Sequence, residues 1–370
     1  MLIEVETRLP PVIAELDFPL PPHLMAASER ALVALGAMDG EASGQPTALA
    51  RFMIRSESVA SSKIERISAS AADFARAIAG NRSNPSAVSM VAATKALSAM
   101  VDSAGQNGRI ERTDIENAHA ALMSDDPVEG AYAGRVRDDQ NWIGGSDHSP
   151  RGALYVPPAP ARVHGLLADL VAFTNRDDLP TMVQATIAHA QFESIHPFGD
   201  GNGRIGRALI GAILRRRGVT RNTVVPVASG LLARRDDYFD ALGAYREGEV
   251  EPLLRLMCRA AAIAAEEGRV SVQRIKSLPR EWAERTDARR GSTAAKLIPA
   301  FFDNPVMGVD DVERAAGATS QAVYTALARL EEEGIIHEIT GRKRDRVWAA
   351  SDLMDELDDL DRRIAAGMRA

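Results

Sequence analysis

Residues 196–207 read His196-Pro197-Phe198-Gly199-Asp200-Gly201-Asn202-Gly203-Arg204-Ile205-Gly206-Arg207. Proline disfavours helical geometry at the residue before it. The apolar-periodic run of 181–195, with Val183, Ile187, Ala190, Phe192 and Ile195, is therefore expected to be an amphipathic helix that stops at His196. Gly199, Gly201 and Gly203 permit a tight loop whose backbone N–H groups can approach a ligand. A second helix is expected from near Arg204, and its first turn adds unpaired N–H donors and a positive dipole end. Helix, glycine loop, helix makes a phosphate nest without a strand. A dinucleotide fingerprint needs a strand before the glycines, and a P-loop needs Gly-Lys-Ser/Thr; this stretch has neither.

The side chains suit a phosphate-bearing substrate. Arg204 and Arg207 are three apart on one helical side, so two guanidinium forks can grip different phosphates of one chain. Asp200 is a lone carboxylate beside the nest, enough for a Mg²⁺ that brings phosphate oxygens and water with it. Asn202 can donate its amide to a phosphate oxygen. An imidazole with an ordinary pKa of about 6.5 suits His196 to take a proton from an attacking hydroxyl.

Outward from this stretch the 370-residue chain reads as mainly α-helical, with apolar residues at the 3.6 period and few alternating runs. Hydrophobic residues at 45% and charged residues at 26% are ordinary for a folded protein. The formal charge of −7 argues against general polyanion binding, and a single cysteine, Cys258, excludes a disulfide framework and suits a reducing cytosol. The N-terminus lacks a basic, then apolar, leader pattern, and no apolar run is long enough to span a bilayer. A cytoplasmic protein without a membrane partner is the expectation. Helices are expected at 23–38, through Phe52 to Ile67, and at 86–104, 113–123, 162–174, 180–195, 204–217, 231–247 and 251–267. Residues 124–160 are rich in Gly, Pro, Asp and Ser and read as a long functional loop, with room for a short hairpin at Val136–Ile143. The expected division is an N-terminal helical region at 1–105, a core at 106–267, a linker helix or hinge at 268–292 and a C-terminal unit at 293–370.

With every position filled, the motif at 196–207 resembles the Fic family signature, and the resemblance extends over roughly residues 50–265. It implies a helical core that transfers AMP from ATP to a hydroxyl side chain of a target protein. It implies His196 as general base, Asp200 as Mg²⁺ ligand and the 201–203 backbone as anion hole. Arg204 and Arg207 would hold the phosphate tail, with Arg207 nearest the γ-phosphate, and Phe198 would pack into the core. Upstream, Ser61-Ser62-Lys63-Ile64-Glu65-Arg66 resembles the family's inhibitory helix, in which the Glu pairs with the second motif Arg. Ser61 and Glu65 share a helical face, while Arg66 stands where the family has Gly or Asn. The loop at 134–145 resembles the family's flap, where a target segment docks by strand addition, with Asn141, Trp142, Ile143 and Gly144 beside the nucleotide. Tyr238 resembles the position that flanks the adenine. His189 is expected to be structural and Cys258 a buried hydrophobe.

The segment 293–350 reads as a winged helix-turn-helix: helices at Ala294–Phe302, Val309–Ala316 and Ser320–Glu333, then strands at Ile335–Thr340 and Val347–Ala350. Seven Lys or Arg stand against nine Asp or Glu there, and only Arg342, Lys343, Arg344 and Arg346 make a basic patch. Such a unit serves DNA, a docked protein or a homodimer, and its acidity disfavours DNA. Two rival readings stand beside the transferase. One is a transcriptional regulator with the nucleotide pocket as sensor. The other is the same pocket removing AMP or moving another phosphate-containing group.

Overall fold

The computed structural model describes residues 5–44, 47–146, 149–342 and 344–370. Lys343 of the basic patch lies outside the described residues. The N-terminal helices are α1 (Pro22–Glu41), α2 (Thr47–Ile64), α3 (Ala71–Ile78), α4 (Pro85–Asn107) and α5 (Arg112–Met123). Prolines open α1 and α4, where a missing N–H costs nothing, and Asn84 caps α4 by accepting from Ala87 N–H. A 3-10 turn (Glu129–Tyr132) leads into the long loop, followed by α6 (Pro160–Thr174), α7 (Thr181–Ile195) and α8 (Asn202–Arg216). Then come α9 (Val227–Ala233), α10 (Arg235–Arg246) and α11 (Glu251–Thr286).

The core is all-α, as expected, and α7 is its centre. Every residue of α7 is buried, so it is not the amphipathic helix the apolar spacing implies. Two of its buried amide side chains find partners outside the helix. Gln184 donates to Phe173 O and Arg176 O, and Gln191 donates to Pro11 O. Around it pack α6, α8, α10 and α11, and α4 lies across α8.

Three boundaries differ from the sequence expectation. The 231–247 run is two helices, broken at Arg234. Residues 268–286 are no linker but the second half of α11, because Val272, Ile275, Leu278 and Trp282 continue its buried stripe. No hairpin forms at 136–143; Ile143 instead bridges Tyr155 across the loop. The Arg137 guanidinium is spent on the carbonyls of His196, Asp139 and Pro158, which pulls the segment against the glycine loop.

The C-terminal unit contains α12 (Thr293–Asp303), β1 (Val306–Gly308), α13 (Val309–Ala316), α14 (Ser320–Glu332), β2 (Ile336–Glu338), β3 (Val347–Ala350) and α15 (Ser351–Arg369). The three helices and the hairpin fall where the sequence places them; β1 and α15 are additions. The antiparallel sheet has the order β1-β3-β2. Helix α15 folds back on the core, against α11, α9 and α2. Among the described residues no helix is long and apolar enough to cross a membrane.

Candidate active site

Helix α7 ends as Pro197 requires. His196 is its C-cap in the left-handed region, φ 49° and ψ 62°, an uncommon conformation for a non-glycine residue. Gly201, φ 75°, caps the start of α8, which begins at Asn202 rather than Arg204. The loop between is clamped from several sides. Phe198 is fully buried, and the Asn202 side chain grips its backbone: Phe198 N–H donates to Oδ1 and Nδ2 donates to Phe198 O, both at 2.9 Å. Asn202 therefore shapes the loop with its amide. The His119 ring stacks on Phe198 at 3.8 Å. Gly134 N–H donates to its Nδ1, so Nε2 carries the proton and donates to Asp200 O at 3.0 Å. Burial pushes the His119 pKa down to about 4, which keeps the ring neutral and both bonds intact.

Helix α2 lies against the start of α8. Glu65, just past its end, meets Arg207: Nη2 donates to Glu65 Oε1 at 2.8 Å and to Ser61 O at 2.9 Å, while Nε donates to Ser61 Oγ at 2.8 Å. Ser61 and Glu65 thus both meet the second motif arginine. A Cβ built on Gly203 would lie 2.0 Å from Glu65 Oε1. The carboxylate is therefore seated on the first turn of α8, where an anion is favoured by free N–H groups and the helix dipole. Burial works against the charge of Arg207, but Glu65, Tyr238 and Glu193 hold the guanidinium well above its ordinary value. Arg204 turns away from Arg207. Its Nη1 donates to Ser89 Oγ on α4 at 2.7 Å, and Asp200 lies 4.0 Å off.

Asp200 holds Gly201 N–H with Oδ1 and leaves its carboxylate 63% exposed at the lip of the nest. One exposed carboxylate there fits a Mg²⁺ that arrives on a polyphosphate. Among the described residues no three His, Cys, Asp or Glu side chains gather as metal ligands. Gly199 is exposed, facing Glu129, whose carboxyl is pushed up by burial and by Asp200.

Three further site residues are placed as follows. His196 is half-buried, and its pKa falls to about 3 through burial, then the Arg137 and Arg246 charges, so the ring rests neutral. Tyr238 is fully buried and does not face the cleft. Its hydroxyl lies 2.9 Å from His189 Nε2 and 3.4 Å from Arg207 Nη1, so it buttresses the arginine. Asn141 points into the protein: its Nδ2 lies 3.0 Å from His196 Nδ1 and donates to Phe198 O at 2.9 Å. Of its neighbours, Trp142 donates to Ser146 O, Ile143 forms the bridge to Tyr155, and Gly144 turns at φ 75° beneath Leu154. Sequence reasoning missed His119 and Ser89, which sit in no motif, and gave Arg137 no role although it lies in the flap loop.

Residues 109–214 match the family described as Fic/DOC. "Protein adenylyltransferase fic-1" of Caenorhabditis briggsae is 30% identical over 158 residues, 42% of this chain and 28% of that protein. "Protein adenylyltransferase Fic" of Culex quinquefasciatus is 29% identical over 156 residues, 41% of this chain and 28% of that protein. The chain thus spans about a quarter of the length of these curated relatives. Among solved structures, a Fic family protein from Desulfovibrio desulfuricans G20 has the same fold, with a TM-score of 0.55, 23% identity and coverage of 90% of this chain and 97% of that one. Fic-1 of Caenorhabditis elegans, residues 134–508, gives a TM-score of 0.50 at 21% identity over 68% of this chain and 75% of that one.

Proposed function

We propose that the chain is a Fic family protein, that it transfers AMP from ATP to a hydroxyl side chain of a target protein and that Glu65 restrains it. The observation that carries the reading is the Glu65 carboxylate on the first turn of α8, bonded to Arg207, at the mouth of the loop that bears His196. An anion seat already filled by the chain's own carboxylate is a seat for a ligand anion, and the restraint is competition for it. The nest binds the phosphate chain once Glu65 withdraws. Asp200 would hold a Mg²⁺ that neutralises phosphate charge. His196 takes the proton of the incoming hydroxyl, its oxygen bonds to the α-phosphorus, and the bond to pyrophosphate breaks with the electron pair leaving on pyrophosphate. The flap at 134–145 receives the target segment.

The test is labelling of protein by α-³²P-ATP. Glu65→Gly is expected to raise labelling about tenfold or more, and His196→Ala in that background to abolish it. Unchanged labelling in the Glu65 variant removes the restraint, and labelling that survives loss of His196 removes the base.

A further inference from the structure

The turn that carries Glu65 runs between α2 and α3, and the C-terminal unit holds both helices. Near the start of α2, Arg51 Nη1 donates to Asn304 Oδ1 at 2.9 Å and to Asp303 O at 3.2 Å, at the end of α12. At its last turn, Lys63 Nζ meets Asp361 Oδ2 of α15 at 3.0 Å. On α3, Arg76 Nη1 donates to Ile339 O, just past β2. Ala75 and Ile78 of α3 pack with Val306, Ile339, Val347 and Met354 in a small apolar core of their own. Apart from those of α3, every described side chain in that core comes from the C-terminal unit. The end of α2 is seated as a whole on α8. Ser61 bonds Arg207 through its hydroxyl and its carbonyl, beside the Glu65 bond, and Glu65 N–H and Ile67 N–H both donate to Ser62 O. Where the last turn of α2 goes, the Glu65 carboxylate goes.

We propose that the C-terminal unit is a clamp on the restraint: by holding α2 and α3 on either side of the Glu65 turn, it keeps the carboxylate in the anion seat, and loosening its grip opens that seat. The inference rests on the restraint read for Glu65 and not on the transfer that follows. A phosphate tail enters the seat only when the carboxylate is withdrawn, so its apparent affinity is reduced by the fraction of molecules that are withdrawn. The contacts to Asp361, Ile339 and the small core are made in the seated position and weaken when the end of α2 draws back. They stabilise one position more than the other, which is what a shift of population requires. None of them touches the seat itself. Lys63, Ala75 and Arg76 are thus positioning residues, and the C-terminal unit acts on the site without any contact with nucleotide.

The clamp can be cut without touching the seat. Lys63→Ala combined with Arg76→Ala removes two polar ties, and Ala75→Leu, which overfills the small core, cuts it a second way. In each, amide exchange over 61–67 is expected to speed about tenfold while α7 stays protected, and ATP, followed by calorimetry, to bind about threefold tighter. In the Glu65→Gly background the same substitutions are expected to leave ATP affinity within about 1.5-fold, because no carboxylate is left to withdraw. Faster exchange with unchanged ATP affinity overturns the proposal, since the unit then holds α2 but not the restraint. Equal tightening in both backgrounds overturns it too, since the effect then bypasses Glu65. Unchanged exchange in both clamp variants shows that there is no clamp. Should Glu65→Gly alone bind ATP no better than the parent, the restraint reading fails and the clamp on it falls, a result told apart from the others because it needs no clamp variant. Neither readout requires turnover, so a protein that labels nothing still decides the matter.

Discussion

Arg66 follows Glu65 in the left-handed region, φ 60°, and the turn closes when Ile67 N–H bonds to Ser62 O at 3.0 Å. That turn aims the Glu65 carboxylate at Arg207. The Gly or Asn expected there tolerates this backbone, whereas the arginine tolerates it under strain. Arg66→Gly is therefore expected to stabilise the protein by about 1 kcal/mol, read as a higher Tm, with the Glu65–Arg207 pair unchanged. An unchanged or lower Tm would show that the turn is not strained. Gly203 is the complementary position, since only a residue without a side chain leaves room for the carboxylate.

Helix α2 buries several polar side chains, Ser56, Glu57, Ser58, Ser61 and Ser62, and all but the Ser56 hydroxyl are hydrogen-bonded. Glu57 accepts from Ala228 N–H at 2.8 Å. The far side is tied to the C-terminal unit: Lys63 reaches Asp361 of α15 at 3.0 Å, and the same carboxylate accepts from Ser229 at 2.8 Å. Asp361→Ala is expected to speed amide exchange across 55–64 about tenfold while leaving α7 protected; equal exchange would show that α15 does not hold α2. The glycine loop and both of its helices were readable, because Pro197 and the glycines dictate where they stop and start. The Ser61–Glu65 pair was singled out through its resemblance to the family's inhibitory helix, since the spacing alone is common on exposed helices. Burial of α7 was not, because Gln191 is satisfied by Pro11, 180 residues away in sequence. Tyr238 misled for the same reason: its partners His189 and Arg207 come from other helices. Sequence offered a linker helix or a hinge at 268–292 and did not show that 268–286 would run on from the preceding helix, since the surfaces covering that stripe come from α1 and α15.

Among the described residues, five groups that burial shifts strongly dominate the dependence of stability on pH around neutrality. His119, His189 and His196 fall from 6.5 to about 4, 3 and 3 through burial, so the unfolded chain binds their protons first as pH drops. Glu57 and Glu193 rise from 4.5 to about 8 and 7, again through burial, so the folded chain keeps protons that the unfolded chain has lost. From about pH 4.5 to 6.5 the three histidines outweigh the two carboxyls, and stability climbs. Above 6.5 only the carboxyls remain, and stability declines through 7 and 8. Urea unfolding is expected to be hardest near pH 6.5, and a plateau running to pH 9 would contradict this. The central claim, that Glu65 occupies a phosphate seat, is tested most directly by calorimetry of ATP and AMP binding to the parent protein and to Glu65→Gly. Removal of the carboxylate is expected to tighten ATP about tenfold and to leave AMP, which lacks the phosphate tail, unchanged. Equal ATP affinity in the two proteins would contradict it.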